Sequence, residues 1–184
     1  MAAEKRTTLA RTAVLVIDVQ TALITGAHRE QEILYNINSV IGYARDKNGL
    51  VVFVQHCHAT YEALKKGNPG WAVHSSLDKR ESDIFVEKEA SDSFYQTDLD
   101  EVLHAHNIEH VVVTGLQTEF CVDTTCRSAL SKGYAVTLIS DAHTTGNSHL
   151  PAQDVIEHHN KILGNLAHPT QSIEVVPHSD WIAT

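Results

Sequence analysis

The sequence is poor in cysteine, in positive charge and in long apolar runs, and each shortage removes a class of protein. It holds 3 cysteines, Cys57, Cys121 and Cys126. The count is odd and no pair is spaced C-x-x-C, which argues against a disulfide framework and suits a reducing compartment. Against 23 Asp and Glu stand only 14 Lys and Arg, a formal charge of −9. That balance disfavours nucleic acid or an anionic membrane as partner. No apolar run approaches the length of a bilayer span. The start, Met1-Ala2-Ala3-Glu4-Lys5-Arg6, has no apolar signal core behind it. Cytoplasmic residence is the expectation. Internal repeats, low-complexity tracts and linkers are also missing, so the 184 residues read as one domain, 1–184, large enough to bury a core.

What is present alternates in type. Ala13–Ile17 and Leu50–Val54 are short continuous apolar runs, as expected of strands buried on both faces. Between them Ile33, Ile37, Val40, Ile41 and Ala44 repeat at helical spacing. Residues 59–82 hold Gly67, Pro69 and Gly70 and read as a long loop. A weaker strand, Ile84–Val86, follows. A helix is expected after Thr97, whose hydroxyl would cap it with Asp100 three residues on, and Leu99, Val102 and Leu103 form its inner face. Strand 110–114 leads to a helix from about Cys121, with Val122, Cys126, Ala129 and Leu130 inward and Gly133 as its stop. Strands 135–139 and 173–176 flank a helix from about Ala152. His104, His106, His158 and His159 fall on helical patterns as surface residues. Strands that alternate with helices and are apolar throughout indicate an α/β fold, a three-layer sandwich whose mostly parallel six-stranded sheet is covered on both faces.

In such sheets ligands bind outside the carboxyl ends of the strands. That rule selects Asp18, the run Gln55-His56-Cys57-His58, Glu87-Lys88, the stretch through Gly115 to Cys121, and Ser140-Asp141. An acid, a lysine and a cysteine on one rim suffice for nucleophilic chemistry: the acid accepts the thiol proton, the ammonium stabilises the thiolate, and backbone N–H groups hold an oxyanion. A cysteine at a helix start is also expected to have a lowered pKa. Each residue has a plainer reading, as cap, solvated charge or core. Cys126 is read as packing, and a redox role for Cys121 finds no well-placed second thiol in it.

Four stretches together resemble the isochorismatase-like cysteine hydrolases, a family that includes nicotinamidases, N-carbamoylsarcosine amidohydrolases and streptothricin hydrolases. They are Ala13-Val14-Leu15-Val16-Ile17-Asp18-Val19-Gln20, Lys88 to Leu99, Thr114-Gly115-Leu116-Gln117-Thr118-Glu119-Phe120-Cys121-Val122-Asp123-Thr124-Thr125, and Gly133 to Ala142. The resemblance implies Asp18 as general base, Lys88 as the residue that orients and stabilises charge, and Cys121 as nucleophile. It implies a cis peptide before Gln117 and an oxyanion hole from the N–H groups of Gln117 and Cys121. His56, Trp71 and Phe120 are the substrate-binding residues it suggests. The implied activity is cleavage of an amide, lactam or ureido C–N bond of a small molecule through a thioester. Nicotinamidases hold a metal through an Asp-x-His pair and a later His. The matching positions here read His56-x-His58 and His74. With the aspartate missing, no cofactor is expected, and zinc on His56, His58 and His74 is the alternative. A homo-oligomer, dimer or larger, is implied by resemblance. A metal-assisted nicotinamidase, an isochorismatase-type hydrolase of other substrate, and a non-catalytic oligomeric binding protein stay open. Loops 59–82 and 143–151 are expected to set specificity.

Overall fold

A computed structural model describes residues 9–184. The hydrophilic start read for a missing signal core lies outside them. The elements, in order, are β1 (Thr12–Ile17), a short α1 (Thr21–Ile24), α2 (Glu30–Asp46), β2 (Leu50–His56), β3 (Ile84–Lys88), α3 (Leu99–Ala105), β4 (His110–Leu116), α4 (Asp123–Ser131), β5 (Ala135–Thr144), α5 (Ala152–Leu163), β6 (Ile173–Val176) and α6 (His178–Trp181). The six strands form one sheet in the order β3-β2-β1-β4-β5-β6. Every pairing between them is parallel.

Alternation along β1 explains why both faces need cover. Side chains of a strand point alternately to opposite faces. Ala13, Leu15 and Ile17 join Leu99, Leu103, Cys126, Ala129 and Leu163 in one core. Val14 and Val16 join Ile33, Ile37, Val40, Ile41, Ala44 and Trp181 in the other. The helical stripe at 33, 37, 40, 41 and 44 is thus the surface that α2 lays on the sheet. Each fully buried aliphatic chain in these layers contributes about 1.5–3 kcal/mol. No helix among the described residues is long and apolar enough to cross a membrane.

Three local expectations are corrected. Thr97 Oγ1 does accept the Leu99 N–H at 3.3 Å, but Asp100 closes no capping box. Its carboxylate instead accepts from Lys132 and Tyr134, because α3 packs beside the end of α4. The helix expected from Cys121 begins earlier, with a π-helical turn at Thr118–Val122 that runs into α4. Finally, β5 does not stop at Ile139. It continues to Thr144 through an irregularity opposite Val113–Gly115. Loop 59–82 carries a single short 3₁₀ turn, Glu62–Leu64.

Strand order reverses between β1 and β4, and the crevice at such a point opens at the carboxyl ends of those strands. Here β1 is followed by Asp18 and β4 by the segment carrying Cys121. The approach is close: Ile17 lies opposite Gly115. Gly115 has φ +113°, and a Cβ there would lie 2.0 Å from the Ile17 carbonyl oxygen. Only glycine fits that position.

Candidate active site

Three strand ends deliver the central residues. Asp18 follows β1 with φ 54°, and its N–H donates to Val54 O at 2.9 Å, which ties it to the end of β2. On edge strand β3 the pleat turns Val86 and Lys88 inward and Phe85 and Glu87 outward. Register sets Lys88 beside His56 of β2. The Leu116–Gln117 peptide is cis, and the chain then enters the π-helical turn that carries Cys121.

Lys88 is the hub. Its Nζ lies 2.7 Å from Asp18 Oδ2, 3.0 Å from Ala90 O, 3.2 Å from His56 Nδ1 and 3.3 Å from Cys121 Sγ. An ammonium has three protons for these four acceptors, so the site has one acceptor more than it has donors. The Lys88 and Asp18 side chains are 0% and 2% exposed. A buried charge survives only when paired and hydrogen-bonded. Asp18 Oδ1, also buried, has no partner within the protein. A carboxylate oxygen beside the thiol, with a lone pair to spare, is placed to take a proton.

The thiol departs from the sequence-based expectation. Burial, and then the Asp18 charge, push the Cys121 pKa up to about 12, and Lys88 opposes them only in part. The helix start does not prevail because the sulfur is half-buried against a carboxylate. Cys121 is therefore a thiol at neutral pH, and its proton has to leave during the reaction. His56 has its pKa lowered by burial and by the Lys88 charge, so it is neutral beside the ammonium.

The other expected residues divide. Trp71 is half-buried and anchored: its Nε1–H donates to Cys57 Sγ at 3.2 Å. Cys57 thereby has a partner the sequence did not reveal. Phe120, next to the nucleophile, is exposed. Glu87 faces outward to Lys66. Asp141 is not brought to the site at all. Its carboxylate accepts from the His178 N–H at 2.8 Å and Nδ1 at 2.7 Å, fastening β5 to α6. A cavity of about 410 Å³ adjoins Lys88, lined also by Cys57, Glu87, Glu89, Ala90, Tyr95 and Gln96.

The three histidines weighed for zinc do not converge among the described residues. Among the described residues the donors that converge within 4.8 Å are Asp18, His56 and Cys121, without His58 or His74. His58 Nδ1 accepts the Thr60 and Tyr61 N–H groups, and His74 Nδ1 accepts that of Ser76. Within the converging set, the Lys88 ammonium is already hydrogen-bonded to all three members.

One organising residue escaped the sequence reading. Gln20 is fully buried; its Nε2 donates to the carbonyls of His56 and Trp71, and its Oε1 accepts the His56 N–H. It clamps both expected pocket walls to the segment after Asp18. Its place two residues past Asp18 was the available signal.

Comparison with known proteins bears on family and fold. The model of the Isochorismatase domain matches residues 12–171. A streptothricin hydrolase of Streptomyces noursei is 35% identical over 136 residues, covering 72% of this chain and 49% of that protein. The chain thus spans about half the length of that relative. A ureidoacrylate amidohydrolase of Variovorax paradoxus (strain S110) is 29% identical over 179 residues, covering 74% of this chain and 70% of the other. The crystal structure of a cysteine hydrolase from Pseudomonas syringae pv. phaseolicola 1448A superposes with a TM-score of 0.86 at 23% identity. It covers 95% of this chain and 92% of that one, a likeness of fold.

Proposed function

The chain belongs to the isochorismatase family, and we propose that within it this protein is a cysteine hydrolase that cleaves a C–N bond of a small amide or ureido compound. The observation that carries the reading is the Lys88 ammonium, hydrogen-bonded to both Asp18 and Cys121 in a buried setting. Similarity to a streptothricin hydrolase and a ureidoacrylate amidohydrolase supports C–N chemistry.

In the proposed cycle the Cys121 thiol gives its proton to Asp18 as sulfur attacks the substrate carbonyl. Lys88 balances the charge on sulfur, which lowers the cost of ionising a thiol whose resting pKa is about 12. The tetrahedral oxyanion is held by the N–H groups of Gln117 and Cys121. Protonated Asp18 then gives its proton to the leaving nitrogen, the C–N bond breaks, and a thioester remains. Asp18, again a carboxylate, takes a proton from water. The hydroxide attacks the thioester, the C–S bond breaks, and the proton returns to sulfur. His56, Trp71 and Phe120 border the substrate.

The test is ammonia release and product mass from a panel of amides, carbamoyl compounds and lactams, with wild type beside Cys121→Ala. Turnover by wild type that falls at least about 10³-fold in the variant is expected. Turnover that persists in Cys121→Ala refutes the reading.

A further inference from the structure

His143 lies on β5, is 0% exposed, and takes no part in the cycle above. A buried imidazole needs a partner at each nitrogen. Its Nε2 is 2.8 Å from Asn160 Oδ1 on α5, and its Nδ1 is 2.8 Å from Thr118 Oγ1. The second bond of Asn160 fixes the direction of the first. Asn160 Nδ2 faces the Ser140 carbonyl oxygen at 3.1 Å. A carbonyl only accepts, so the amide nitrogen must face Ser140 and the amide oxygen must face the ring. The ring nitrogen opposite that oxygen, Nε2, therefore carries a proton. Burial pushes the His143 pKa down to about 4, so the ring is neutral and Nδ1 holds a lone pair. The Thr118 hydroxyl must then donate to Nδ1.

Thr118 is itself fully buried and opens the turn that bears Cys121. A threonine at a helix start commonly turns its oxygen onto nearby backbone N–H groups. Here the hydroxyl is drawn the other way. No side chain caps the π-helical turn. The Phe120 and Val122 N–H groups donate to the Gln117 carbonyl oxygen at 3.1 and 3.2 Å, so the turn is held by its backbone and its placement follows Thr118.

We propose that His143, locked as the Nε2–H tautomer by Asn160, is a positioning residue that holds Thr118 and so sets the oxyanion-binding N–H groups of Gln117 and Cys121. The proposal rests on the hydrolase reading above. Its energetic logic is geometric: misplacing catalytic donors by about 1 Å costs on the order of 100-fold in rate.

Two measurements test it. Long-range ¹H–¹⁵N correlation NMR on the wild-type protein reads the tautomer directly. The Nε2–H form is expected, and the Nδ1–H form or an imidazolium overturns the proposal. The second measurement is kinetic. Thr118→Val should lower kcat about 10- to 100-fold with KM changed less than about twofold, and Thr118→Ser should recover most of the loss. The side-chain oxygen of His143→Asn reaches the place of Nδ1, whereas the amide of His143→Gln reaches that of Nε2. The Asn variant should keep more kcat than the Gln variant. Equal losses in the two, or an effect on KM alone, overturn the proposal. If the variants do not fold, the NMR result decides. A wild type without turnover would count against the hydrolase reading, and the tautomer would still decide the arrangement proposed here.

Discussion

Lys88→Met tests the core of the site most sharply. The substitution keeps the length of the side chain and removes its charge. What remains is an Asp18 carboxylate that is 2% exposed and has lost a cation at 2.7 Å. Asp18 Oδ1 already lacks a partner, so no second hydrogen bond compensates. Removing one member of a buried ion pair costs about 3–5 kcal/mol. For a chain of this size about 1 kcal/mol corresponds to 2–4 °C in Tm, so Tm should fall by roughly 6–20 °C. The double variant Asp18→Asn/Lys88→Met removes both charges and should be more stable than Lys88→Met alone, because the cost lies in the orphaned charge. The assay is calorimetric or urea unfolding of wild type, both single variants and the double variant at pH 7. A Lys88→Met protein within about 0.5 kcal/mol of wild type would refute the argument, as would a double variant less stable than Lys88→Met.

Two further outcomes are expected. Alkylation of Cys121 by iodoacetamide should keep accelerating with pH through 9 and beyond, because burial and Asp18 hold the thiol far above its ordinary value. A plateau below pH 8 would show a preformed thiolate and restore the expectation drawn from the helix start. His110 and His143 both have pKa values lowered by burial from 6.5 to about 4. Below about pH 6.5 the unfolded chain takes up these protons and the folded chain does not, so stability falls as pH drops from 6.5 toward 4. Each residue should cost about 2 kcal/mol by pH 5. The urea midpoint should therefore fall from pH 7 to pH 5, and fall less in His110→Gln. An equal fall in that variant would remove His110 from the account.

Much of this protein is local in origin. Apolar runs such as Ala13–Ile17 can satisfy their side chains only when buried on two faces, and the stripe on α2 can be buried only against one. Those facts set a parallel sheet between helices, and the sheet sets which strand ends share a rim. Asp18, Lys88 and the Cys121 segment were legible for that reason. Asp141 had the same strand-end signature, but β5 runs on and α6 claims its carboxylate. Thr118, His143 and Asn160 had no signature, since each acts through partners distant in the chain, and Gln20 had only its place two residues past Asp18.

Local pattern along the chain set the layers of the sheet and brought an acid, a lysine and a cysteine to one edge. How they are charged and held depends on encounters across the fold. Lys88 meets Asp18 across 70 residues of chain and Cys121 across 33, and His143 meets Thr118 across 25. Burial of a thiol beside a carboxylate, and of a ring between two fixed partners, are properties of such encounters. Desolvation and charge act through space, so pKa direction and tautomer follow from what surrounds a residue, and its neighbours in the chain carry too little of that information.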